Sequence, residues 1–342
     1  MARLKMAVIG VGHLGQAHAR ILAGLPEVEL VGVADVNAEQ ARTVAEKCGT
    51  RAFTHYGPLL DQAEAACVVV PTSHHHSVGR AFLERGIPLL VEKPFATTVE
   101  QADELIALAR AKGVALQVGH IERFNPAFEE LTSRPISPKF VECERHGPFT
   151  GRSTDIGAVL DLMIHDLDLL HALDPSEVLS VEAMGVAVFG GHEDLVNVRL
   201  RFASGCIAHV TASRISPLPK RRLRIWAPEG YAGLDFVRRK LILVQPSDQL
   251  RRHGLRVDQL DPSRRAKLAE EVFGRHLEMC DRTCSAPADQ LTRELQHFVQ
   301  CVRTGSTPRV TGEDGRAGGP TGPAHLPPPV GRLFDRDGRA AA

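Results

Sequence analysis

Short apolar runs alternate with amphipathic segments over the first 120 residues of the chain. The apolar runs are rich in valine, leucine and isoleucine and lie at 5–9, 29–34, 67–70, 88–91 and 114–118. Runs without polar alternation are typical of strands that are buried on both faces of a parallel sheet. Helical patterns lie between them, at 16–25, 38–48, 76–85 and 99–112. This alternation predicts an open, doubly wound α/β domain over residues 1–122.

The last of these helical patterns carries signals for both of its ends. Thr97 and Thr98 are candidate N-cap residues, and Glu100 falls in the predicted first turn. A side-chain oxygen at the N-cap accepts hydrogen bonds from the free amides of that turn, and an acidic residue there faces the positive end of the helix dipole. Gly113 follows the pattern, where a left-handed cap residue is common. We therefore expect a helix between these threonines and Gly113.

From about residue 125 the pattern changes to longer runs with alternating polar positions. These runs lie at 139–146, 178–189, 196–202, 206–213, 222–227 and 240–244. Half-polar strands of this kind form antiparallel sheets with one solvated face, and the short turn 203–205 predicts a hairpin. One helical pattern, 157–173, interrupts them. The sequence predicts a second domain, residues 123–315, of α+β class with a mostly antiparallel open sheet.

The end of the chain has a different composition. Residues 291–303 form a good amphipathic pattern, whereas residues 316–342 contain five prolines and five glycines with little apolar periodicity. Such a segment buries too little apolar surface to offset the entropy lost when it is ordered. We expect residues 316–342 to be a disordered tail, or to reflect a shifted reading frame.

Composition and charge exclude several classes of protein. Lysine plus arginine number 41 and aspartate plus glutamate 41, so the chain has no basic surplus for nucleic acid or an anionic membrane. No apolar run reaches the roughly 18 to 20 residues of a membrane span, and the first residues lack the apolar region of a signal peptide. The seven cysteines are scattered without paired spacing, as expected of reduced thiols. We expect a cytoplasmic protein that binds neither nucleic acid nor a membrane.

Two groups of residues could suggest a metal site. Three consecutive histidines, 74–76, cannot all face one ion from a regular element, and His75 is better interpreted as a structural or substrate-lining residue. On a helix, His276, Cys280 and Cys284 would form one stripe, but no fourth ligand is evident. We therefore expect no metal.

A glycine-rich loop follows the first predicted strand. Residues 10–15 read Gly-Val-Gly-His-Leu-Gly, which matches G-x-G-x-x-G directly after a strand and at the start of a helix. The glycines allow a tight turn, close approach of the backbone to a pyrophosphate and close packing of helix on strand. Asp35 lies 20 residues beyond Gly15 at the end of the second strand, where a carboxylate accepts from a ribose 2′-hydroxyl. Because a carboxylate repels a 2′-phosphate, and neither Val36 nor Asn37 is a cation, the sequence favours NAD over NADP.

Two further places carry candidate chemistry. Lys93 follows the strand predicted at 88–91, and ligands of open parallel sheets lie beyond the carboxyl ends of the strands. Asp161 and His165 are four residues apart in the predicted helix 157–173, on one face, and histidine is suited to accept a proton near neutral pH. A solvated lysine and an ordinary surface pair are the alternative interpretations of these residues.

Taken together, these segments resemble the Gfo/Idh/MocA oxidoreductases. The resemblance rests on the glycine loop, the Glu92-Lys93-Pro94 triplet and the helix segment 157–168, with further similarity at the Pro-x-x-x-His turn 71–75 and at 120–126. It covers residues 4 to about 315, with the motifs in family order. It implies an N-terminal Rossmann domain, a C-terminal domain whose open sheet forms a dimer face, and a homo-oligomer (dimer or tetramer). It also implies NAD(P)-linked oxidation or reduction of a sugar or cyclitol hydroxyl.

The resemblance implies roles for individual residues. Lys93, Asp161 and His165 become the catalytic group: His165 takes the hydroxyl proton, Lys93 stabilises the developing negative charge on the oxygen, and Asp161 orients Lys93 or His165. The residues implied in cofactor binding are Gly10, Gly12, His13, Leu14, Gly15, Asp35, Pro71, Thr72, His75, Glu92 and Lys93. The residues implied in substrate binding are Lys93, His120, Arg123, Asn125, Asp161 and His165.

Similarity within the family indicates a substrate. Residues 117–126 and 161–168 are most similar to dehydrogenases that oxidise the 3-hydroxyl of a UDP-N-acetyl sugar before an amine is installed for lipid A. The cations at 220–222 and 224 could serve a nucleotide diphosphate or simply protect an edge strand from aggregation. The alternatives are an inositol or free-aldose dehydrogenase and a non-catalytic dinucleotide-binding regulator. Beyond Gly315 the chain departs from the family pattern of a final apolar helix.

Overall fold

Residues 2–151, 156–189 and 191–318 are described by the computed structural model, and they fall into two units. The first unit extends to Phe124 and includes the segment from Pro287, and the second begins at Asn125 and ends at Ala286. The predicted boundary between residues 122 and 123 is therefore two residues early. The prediction that the second domain continues to residue 315 was wrong, because residues from 287 onward pack with the first unit.

A parallel sheet of six strands forms the centre of the first unit. Its strands are β1 (Leu4–Ile9), β2 (Val28–Ala34), β3 (Ala52–Phe53), β4 (Ala65–Val68), β5 (Leu89–Glu92) and β6 (Leu116–Gly119). The strand order is β3-β2-β1-β4-β5-β6, so the order reverses between β1 and β4, as in Rossmann folds. The predicted doubly wound domain is confirmed. The two-residue β3 was not predicted, since it is too short to show a period.

Helices cover both faces of this sheet. They are α1 (His13–Gly24), α2 (Ala38–Cys48), α3 (His75–Glu84), α4 (Val99–Lys112), α9 (Gln290–Thr304) and α10 (Gly312–Gly318), with 3-10 turns at Gly57–Leu59, Thr72–His74 and Ile121–Phe124. The expected ends of α4 are confirmed: the Thr98 side chain accepts from the amide of Gln101, and Gly113 is left-handed with φ of 64°. Local capping signals therefore correctly predict both ends of this helix.

The packing of helix α9 explains why the residues from 287 onward belong to the first unit. Its buried face, Leu291, Leu295, Phe298 and Val299, packs into the same apolar cluster as Met6 of β1. A helix of this amphipathic pattern must bury its apolar stripe somewhere, but the pattern does not say against which sheet. Chain order suggested the second domain, whereas packing assigns the helix to the first.

An eight-stranded sheet forms the second unit. Its strands are β7 (Phe140–His146), β8 (Val178–Val186), β9 (Leu195–Phe202), β10 (Ile207–Ser213), β11 (Lys220–Ala227), β12 (Gly230–Asp235), β13 (Lys240–Pro246) and β14 (Leu277–Thr283). The order is β14-β13-β12-β11-β7-β10-β9-β8, and only β7 and β10 pair in parallel. The mostly antiparallel open sheet and the hairpin of β9 and β10 are confirmed. The strands β12 and β14 were not predicted.

Four helices and several turns accompany this sheet. The helices are α5 (Pro126–Thr132), α6 (Ile164–Leu173), α7 (Asp248–His253) and α8 (Pro262–Glu271), with a 3-10 turn at Val257–Gln259, a π-turn at Val159–Met163 and an irregular turn at Val272–His276. The predicted helix 157–173 is therefore a π-turn followed by the regular helix α6. Cys280 and Cys284 do not share a helical stripe, because residues 277–283 form the strand β14. In extended backbone, residues four positions apart are much farther from each other than on a helix.

The strand β11 lies inside the sheet, between β7 and β12, and not at its edge. Lys220 pairs with Glu144 at 2.7 Å, and Arg224 pairs with Glu142 at 2.5 Å. Opposite charges on neighbouring strands stabilise the pairing on a solvated sheet face. The cations at these two positions are thus already matched by carboxylates of β7.

The helix α10 extends the ordered chain further than the sequence predicted. Thr311 and Asp314 cap its first turn, with the Thr311 amide donating to the Asp314 carboxylate at 2.8 Å. Arg316 lies in the last turn and pairs with Asp103 of α4 at 2.5 Å. Residues 316–318 are therefore helical, contrary to the predicted start of the tail. The rest of the predicted tail, residues 319–342, lies outside the described residues.

Three general features bear on function. All seven cysteines are free thiols. Within the described ranges, no group of three or more histidine, cysteine, aspartate or glutamate side chains could hold a metal ion. No helix in that same part of the chain combines the length and apolar character needed to cross a bilayer.

Candidate active site

The glycine loop joins β1 to α1, and its three glycines differ in what an added Cβ would contact. Gly10 has φ of 86°, and a Cβ there would lie 2.5 Å from the carbonyl oxygen of Val69. A Cβ on Gly15 would lie 2.0 Å from the carbonyl oxygen of Gly10. Gly12, by contrast, is exposed, and a Cβ there would have no heavy atom within 4 Å. The first and third glycines are needed for the fold, and the second leaves an open cradle.

This cradle fits a dinucleotide pyrophosphate. His13 and Leu14 form the exposed first turn of α1, and the helix begins without a side-chain cap on its amides. Free amides and the positive end of a helix dipole attract phosphate. The residues 10–15 would therefore hold the pyrophosphate of a bound dinucleotide, as the sequence predicts.

Asp35 follows β2 and lies beside the glycine loop. Its Oδ2 accepts from the Val11 amide at 2.8 Å, and its Oδ1 accepts from the Asn37 amide at 2.9 Å. A carboxylate has about four lone-pair positions, so acceptor capacity remains for a ribose hydroxyl. Asn37 caps α2 through its own side chain, and Val36 is 95% exposed. Neither neighbour supplies a cation for a 2′-phosphate.

Changing Asp35 and Val36 together is expected to reverse the cofactor preference. Asp35→Asn with Val36→Arg removes the repelling charge and adds a cation at an exposed position, so the structure needs no repacking. Because hydrogen bonds to charged groups are worth roughly 1.5–3 kcal/mol, KM for NAD should rise by about 10- to 100-fold while NADP becomes a usable cofactor. Steady-state kinetics with both cofactors measure this. In the control Asp35→Asn with Val36→Gln, NAD affinity should fall without any gain for NADP; equal gains in both variants would contradict the assignment.

Glu92 and Lys93 lie at the carboxyl end of β5. Glu92 is buried and Lys93 is half-buried, and the Lys93 amide donates to Glu92 Oε2 at 3.2 Å. Burial opposes ionisation of Glu92, but hydrogen bonding and charge from His18, together with the charge of Lys93, outweigh it and hold the pKa of Glu92 below its usual value. The peptide bond between Lys93 and Pro94 is cis. An anionic Glu92 thus lies next to the cationic Lys93.

The turn after β4 contains Pro71, Thr72 and His75. Pro71 is exposed, Thr72 is half-buried and begins a 3-10 turn, and His75 is buried at the start of α3. His75 Nδ1 lies 2.8 Å from the Pro94 carbonyl oxygen, and Nε2 lies 2.8 Å from that of Val70. Burial lowers the pKa of His75, although these two carbonyls oppose the shift. Each ring nitrogen faces a carbonyl oxygen, and the neutral ring donates to one of the two, so His75 packs between this turn and the segment after Lys93.

His120 and Arg123 follow β6 in the first unit and are both buried. The Arg123 amide donates to the His120 carbonyl at 3.1 Å, and the Arg123 guanidinium lies 3.6 Å from Asp314. Asn125 begins the second unit as the N-cap of α5, where its Oδ1 accepts from the Ala127 amide at 3.1 Å and its Nδ2 donates to the Phe236 carbonyl at 3.3 Å. Arg123 and Asn125 therefore each have a structural partner in addition to any role toward a ligand.

Asp161 and His165 lie where the π-turn joins α6 in the second unit. Both side chains are half-buried. The Asp161 amide donates to the Gly157 carbonyl at 3.0 Å, within the π-turn Val159–Met163. Single π-turns are rare in proteins as a whole, but those that occur are often found at functional sites. They change the direction in which side chains point along a helix. The structure brings these two residues together on one short segment, whereas Lys93 belongs to the other unit.

Glu193 fixes the start of this segment. Its carbonyl accepts from the Ala158 amide at 2.9 Å, and its carboxylate accepts from the Val159 amide at 3.1 Å. A Cβ on Gly157 would lie about 2 Å from that carboxylate, so a side chain there would displace the carboxylate. A carboxylate at this position faces the positive end of the helix dipole. No sequence pattern signals this contact, since Glu193 lies in an irregular loop 34 residues away from Val159.

Two buried ion pairs support the same segment. Arg145 of β7 makes two hydrogen bonds of 2.9 Å to Asp166, the residue after His165. Arg214 donates to Asp194 at 2.7 Å and to the Ile156 carbonyl at 2.8 Å. Burial raises the pKa of Asp194, but the Phe189 amide, Arg214 and the Val188 amide outweigh it, and the net pKa is lowered. These pairs were not predicted, because the partners are separated by 20 or more residues.

Removing the Asp194 charge is expected to destabilise the second unit. Asp194→Asn leaves the Arg214 guanidinium buried without its counter-ion, which typically costs roughly 3 to 5 kcal/mol. Because the folded-state pKa of Asp194 is lowered, its contribution is present above the ordinary pKa of 3.8 and is lost as pH falls through the folded value. Urea unfolding should therefore show a large difference from wild type at pH 7 that narrows below about pH 4. The exposed Asp248→Asn is the control, and a pH-independent difference would contradict this account.

A cavity of about 520 Å³ lies elsewhere in the first unit. It is lined by Pro88, Arg110, Leu116, Cys301 and Pro308 among others, at the amino ends of β5 and β6. Ligands of such sheets bind at the carboxyl ends, where the glycine loop, Asp35 and Lys93 lie. This cavity is therefore not the candidate active site.

A Rossmann sheet with a dinucleotide cradle, joined to a second unit that carries an aspartate–histidine segment, defines an NAD-dependent oxidoreductase. Residues 4–120 match the oxidoreductase family with an NAD-binding Rossmann fold, and residues 132–232 match the GFO/IDH/MocA C-terminal domain. The chain belongs to the Gfo/Idh/MocA family, as the resemblance indicated. It is thus an enzyme that uses NAD and acts on CH–OH groups.

Individual relatives sharpen this similarity. The chain is 38% identical over 279 residues to UDP-N-acetylglucosamine 3-dehydrogenase of Acidithiobacillus ferrooxidans, covering 80% of this chain and 87% of the relative. A solved structure of that enzyme has a TM-score of 0.82 at 33% identity and covers 93% of this chain and 95% of its own. The scyllo-inositol 2-dehydrogenase (NAD(+)) of Bacillus subtilis is 28% identical over 332 residues, with 91% and 90% of the two chains covered.

Proposed function

We propose that the protein oxidises the 3-hydroxyl of UDP-N-acetylglucosamine, or of a closely similar UDP-N-acetyl sugar, with NAD as the acceptor. The observation that carries this proposal is the 38% identity to UDP-N-acetylglucosamine 3-dehydrogenase over 80% of the chain. The ketone produced would be a substrate for an aminotransferase on the way to lipid A, and we place the protein in the cytoplasm. The free state of all seven cysteines supports that compartment.

In the proposed reaction, His165 accepts the proton of the sugar hydroxyl. An imidazole has an unperturbed pKa of about 6.5, so it is mostly neutral and able to accept near pH 7. NAD, when bound, supplies the acceptor for the hydride that leaves the same carbon. Asp161, one π-turn before His165, orients the imidazole or Lys93. The two buried ion pairs beside this segment support such a role, since a catalytic base must be held in place.

Lys93 donates a hydrogen bond to the reacting oxygen and stabilises the negative charge that develops there. A preorganised cation aimed at developing charge is usually the largest electrostatic contribution to catalysis. The anionic Glu92 next to it favours the cationic form of Lys93 by Coulomb attraction. Lys93 belongs to the first unit and His165 to the second.

The remaining predicted residues bind cofactor or substrate. Gly12, His13 and Leu14 would hold the pyrophosphate, with Asp35 on the ribose. The turn of Pro71 and Thr72, positioned by His75, would lie alongside the dinucleotide. His120, Arg123 and Asn125 are proposed to contact substrate. For the last two, the structural partners described above mean that substitutions would affect folding as well as binding.

We also propose a homo-oligomer, a dimer or a tetramer, formed through the second sheet. On one face of that sheet, Phe140 contacts both His209 and Trp226 at ring-centroid distances of 5.2 Å, and Trp226 contacts Tyr231 at 5.3 Å. Trp226, Ile242 and Met279 are all at least 36% exposed. Aromatic side chains, methionine and arginine are enriched at protein interfaces, and this face also carries the Arg224–Glu142 pair. Light scattering of wild type and of Trp226→Glu tests this proposal, which predicts loss of the oligomer in the variant.

A panel of substrates tests the proposed activity. Purified protein with NAD is mixed with UDP-N-acetylglucosamine, UDP-glucose, N-acetylglucosamine 1-phosphate, scyllo-inositol, myo-inositol and glucose, and NADH is followed by absorbance. The proposal predicts the highest kcat/KM for UDP-N-acetylglucosamine. The principal alternative, an inositol dehydrogenase, is favoured by the relative that covers 91% of the chain at 28% identity. A preference for either inositol would establish that alternative.

A further inference from the structure

His18 is a fully buried histidine on the inner face of α1. It is 0% exposed, and the same face carries Ala19 and Leu22, which pack into the apolar core beneath the sheet. Histidine is seldom placed in such surroundings unless its ring makes a polar contact, because an unpaired buried donor is costly. His18 lies only three positions after the last glycine of the loop.

The His18 ring contacts Glu92. Its Nε2 lies 3.1 Å from Glu92 Oε1, and the Glu92 side chain is only 9% exposed. Glu92 Oε2 accepts from the Lys93 amide at 3.2 Å. The three residues therefore form a chain of contacts from α1 to the residue that we propose polarises the substrate oxygen.

Gly119 of β6 makes room for this arrangement. A Cβ at that position would lie 2.8 Å from the carboxyl carbon and from both oxygens of Glu92. The carboxylate therefore fills the space that a side chain on β6 would take, with His18 on another side of it. Glu92 is confined by the backbone of Gly119, the His18 ring and the Lys93 amide, which leaves the carboxylate little freedom to rotate.

The hydrogen on the His18 ring is assigned by its surroundings. His18 Nδ1 is buried and has no hydrogen-bond partner among the described residues. Because an ionised carboxylate only accepts, the ring donates to Glu92 from Nε2.

The other ionisable groups near Glu92 do not compete for this role. Burial raises the pKa of the Cys67 thiol on β4 far above its usual value, and the charges of Glu294 and Glu92 add to this effect. His75 on α3 also senses the Glu92 charge, but burial lowers its pKa. Near pH 7 both Cys67 and His75 are neutral, so His18 and Lys93 are the groups that hold Glu92 ionised.

We propose that His18 is a positioning residue, which donates from Nε2 to Glu92 and so fixes the carboxylate that holds Lys93. This rests on the proposed function, in which Lys93 stabilises charge on the substrate oxygen. His18 contacts neither substrate nor cofactor in this role. Its loss frees the Glu92 carboxylate, so that Lys93 is held less well and Glu92 takes up a proton more readily.

The test compares His18→Leu with His18→Gln. Leucine fills the site without a donor, so kcat should fall about 10- to 100-fold with KM for NAD changed less than about twofold, because positioning acts on the transition state and not on cofactor binding. The acid limb of the pH–kcat profile should move upward by about one unit, since an unsupported buried carboxylate protonates at higher pH. Glutamine can present an amide N–H near the position of Nε2, and it should restore most of kcat and the wild-type profile.

Controls separate positioning from packing. Leu22→Val on the same helix face should lower the melting temperature and leave the pH profile unchanged. If His18→Leu does not fold, Glu92→Gln decides instead, with an expected loss of kcat. A folded His18→Leu with wild-type kcat and profile, or equal losses in the leucine and glutamine variants with an unshifted profile, would overturn the proposal. Lys93→Ala with full turnover would instead contradict the proposed function itself.

Discussion

Replacing Lys93 by alanine is expected to lower kcat by about 100- to 1,000-fold, the usual effect of removing one donor that stabilises a developing oxyanion. The melting temperature should stay close to that of wild type, because Lys93 is half-buried at the end of β5 and is not part of the apolar core. Titration of the free enzyme with NADH, followed by fluorescence, separates the loss of turnover from the loss of the cofactor contact implied for Lys93. Stopped-flow or steady-state NADH absorbance then measures the loss of turnover.

Two further variants serve as controls for Lys93→Ala. Lys112→Ala removes an exposed lysine at the end of α4 and should leave kcat unchanged. Lys93→Arg keeps the charge but replaces a compact ammonium by a planar fork, and it should recover only part of the activity. If Lys93→Ala turned over at the wild-type rate with the native sugar, the catalytic role assigned to this residue would be wrong.

Replacing Gly12 by valine is expected to abolish useful NAD binding without disturbing the fold. The valine Cβ meets no heavy atom within 4 Å in the protein itself, and the φ of Gly12 is −63°, which any residue adopts. A side chain there would occupy the cradle and push the pyrophosphate away from the amides at the start of α1. Since hydrogen bonds to charged groups are worth roughly 1.5–3 kcal/mol each, Kd for NAD should rise by about 100-fold or more.

For Gly12→Val, isothermal titration calorimetry measures the affinity for NAD and thermal melts measure the stability of the fold. Gly24→Val is the matched control, because a Cβ at Gly24 is likewise free of neighbours but lies at the far end of α1. It should bind NAD normally. Gly15→Val, where a Cβ would lie 2.0 Å from the Gly10 carbonyl oxygen, should instead fail to fold. Normal NAD binding by a folded Gly12→Val would show that the pyrophosphate lies elsewhere.

Local patterns were sufficient to predict most of the first unit. The continuous apolar runs became β1, β2, β4, β5 and β6, and the caps at Thr98 and Gly113 lie where side-chain chemistry placed them. The glycine loop could be interpreted from sequence because its requirements are local: a turn, a strand before it and a helix after it. Asp35 likewise follows from its distance along the chain.

Contacts between distant segments were not predictable. The amphipathic period of α9 shows that Leu295 and Phe298 are buried, but not that they pack beside Met6 nearly 300 residues earlier. The contact of His18 with Glu92 joins residues 74 positions apart and has no periodic signature. The π-turn before α6 has no propensity signal either, because it depends on Glu193 closing over Gly157.

In the proposed reaction, this enzyme removes a hydride from carbon 3 of a UDP-N-acetyl sugar and gives it to NAD. The most direct measurement uses UDP-N-acetylglucosamine deuterated at that carbon, with the NADH product examined by mass spectrometry. The account predicts one deuterium in each NADH formed and a slower rate than with unlabelled sugar when hydride transfer limits turnover. Formation of NADH without deuterium would assign the reaction to another carbon. No NADH from this sugar, with rapid NADH formation from an inositol, would contradict the claim altogether.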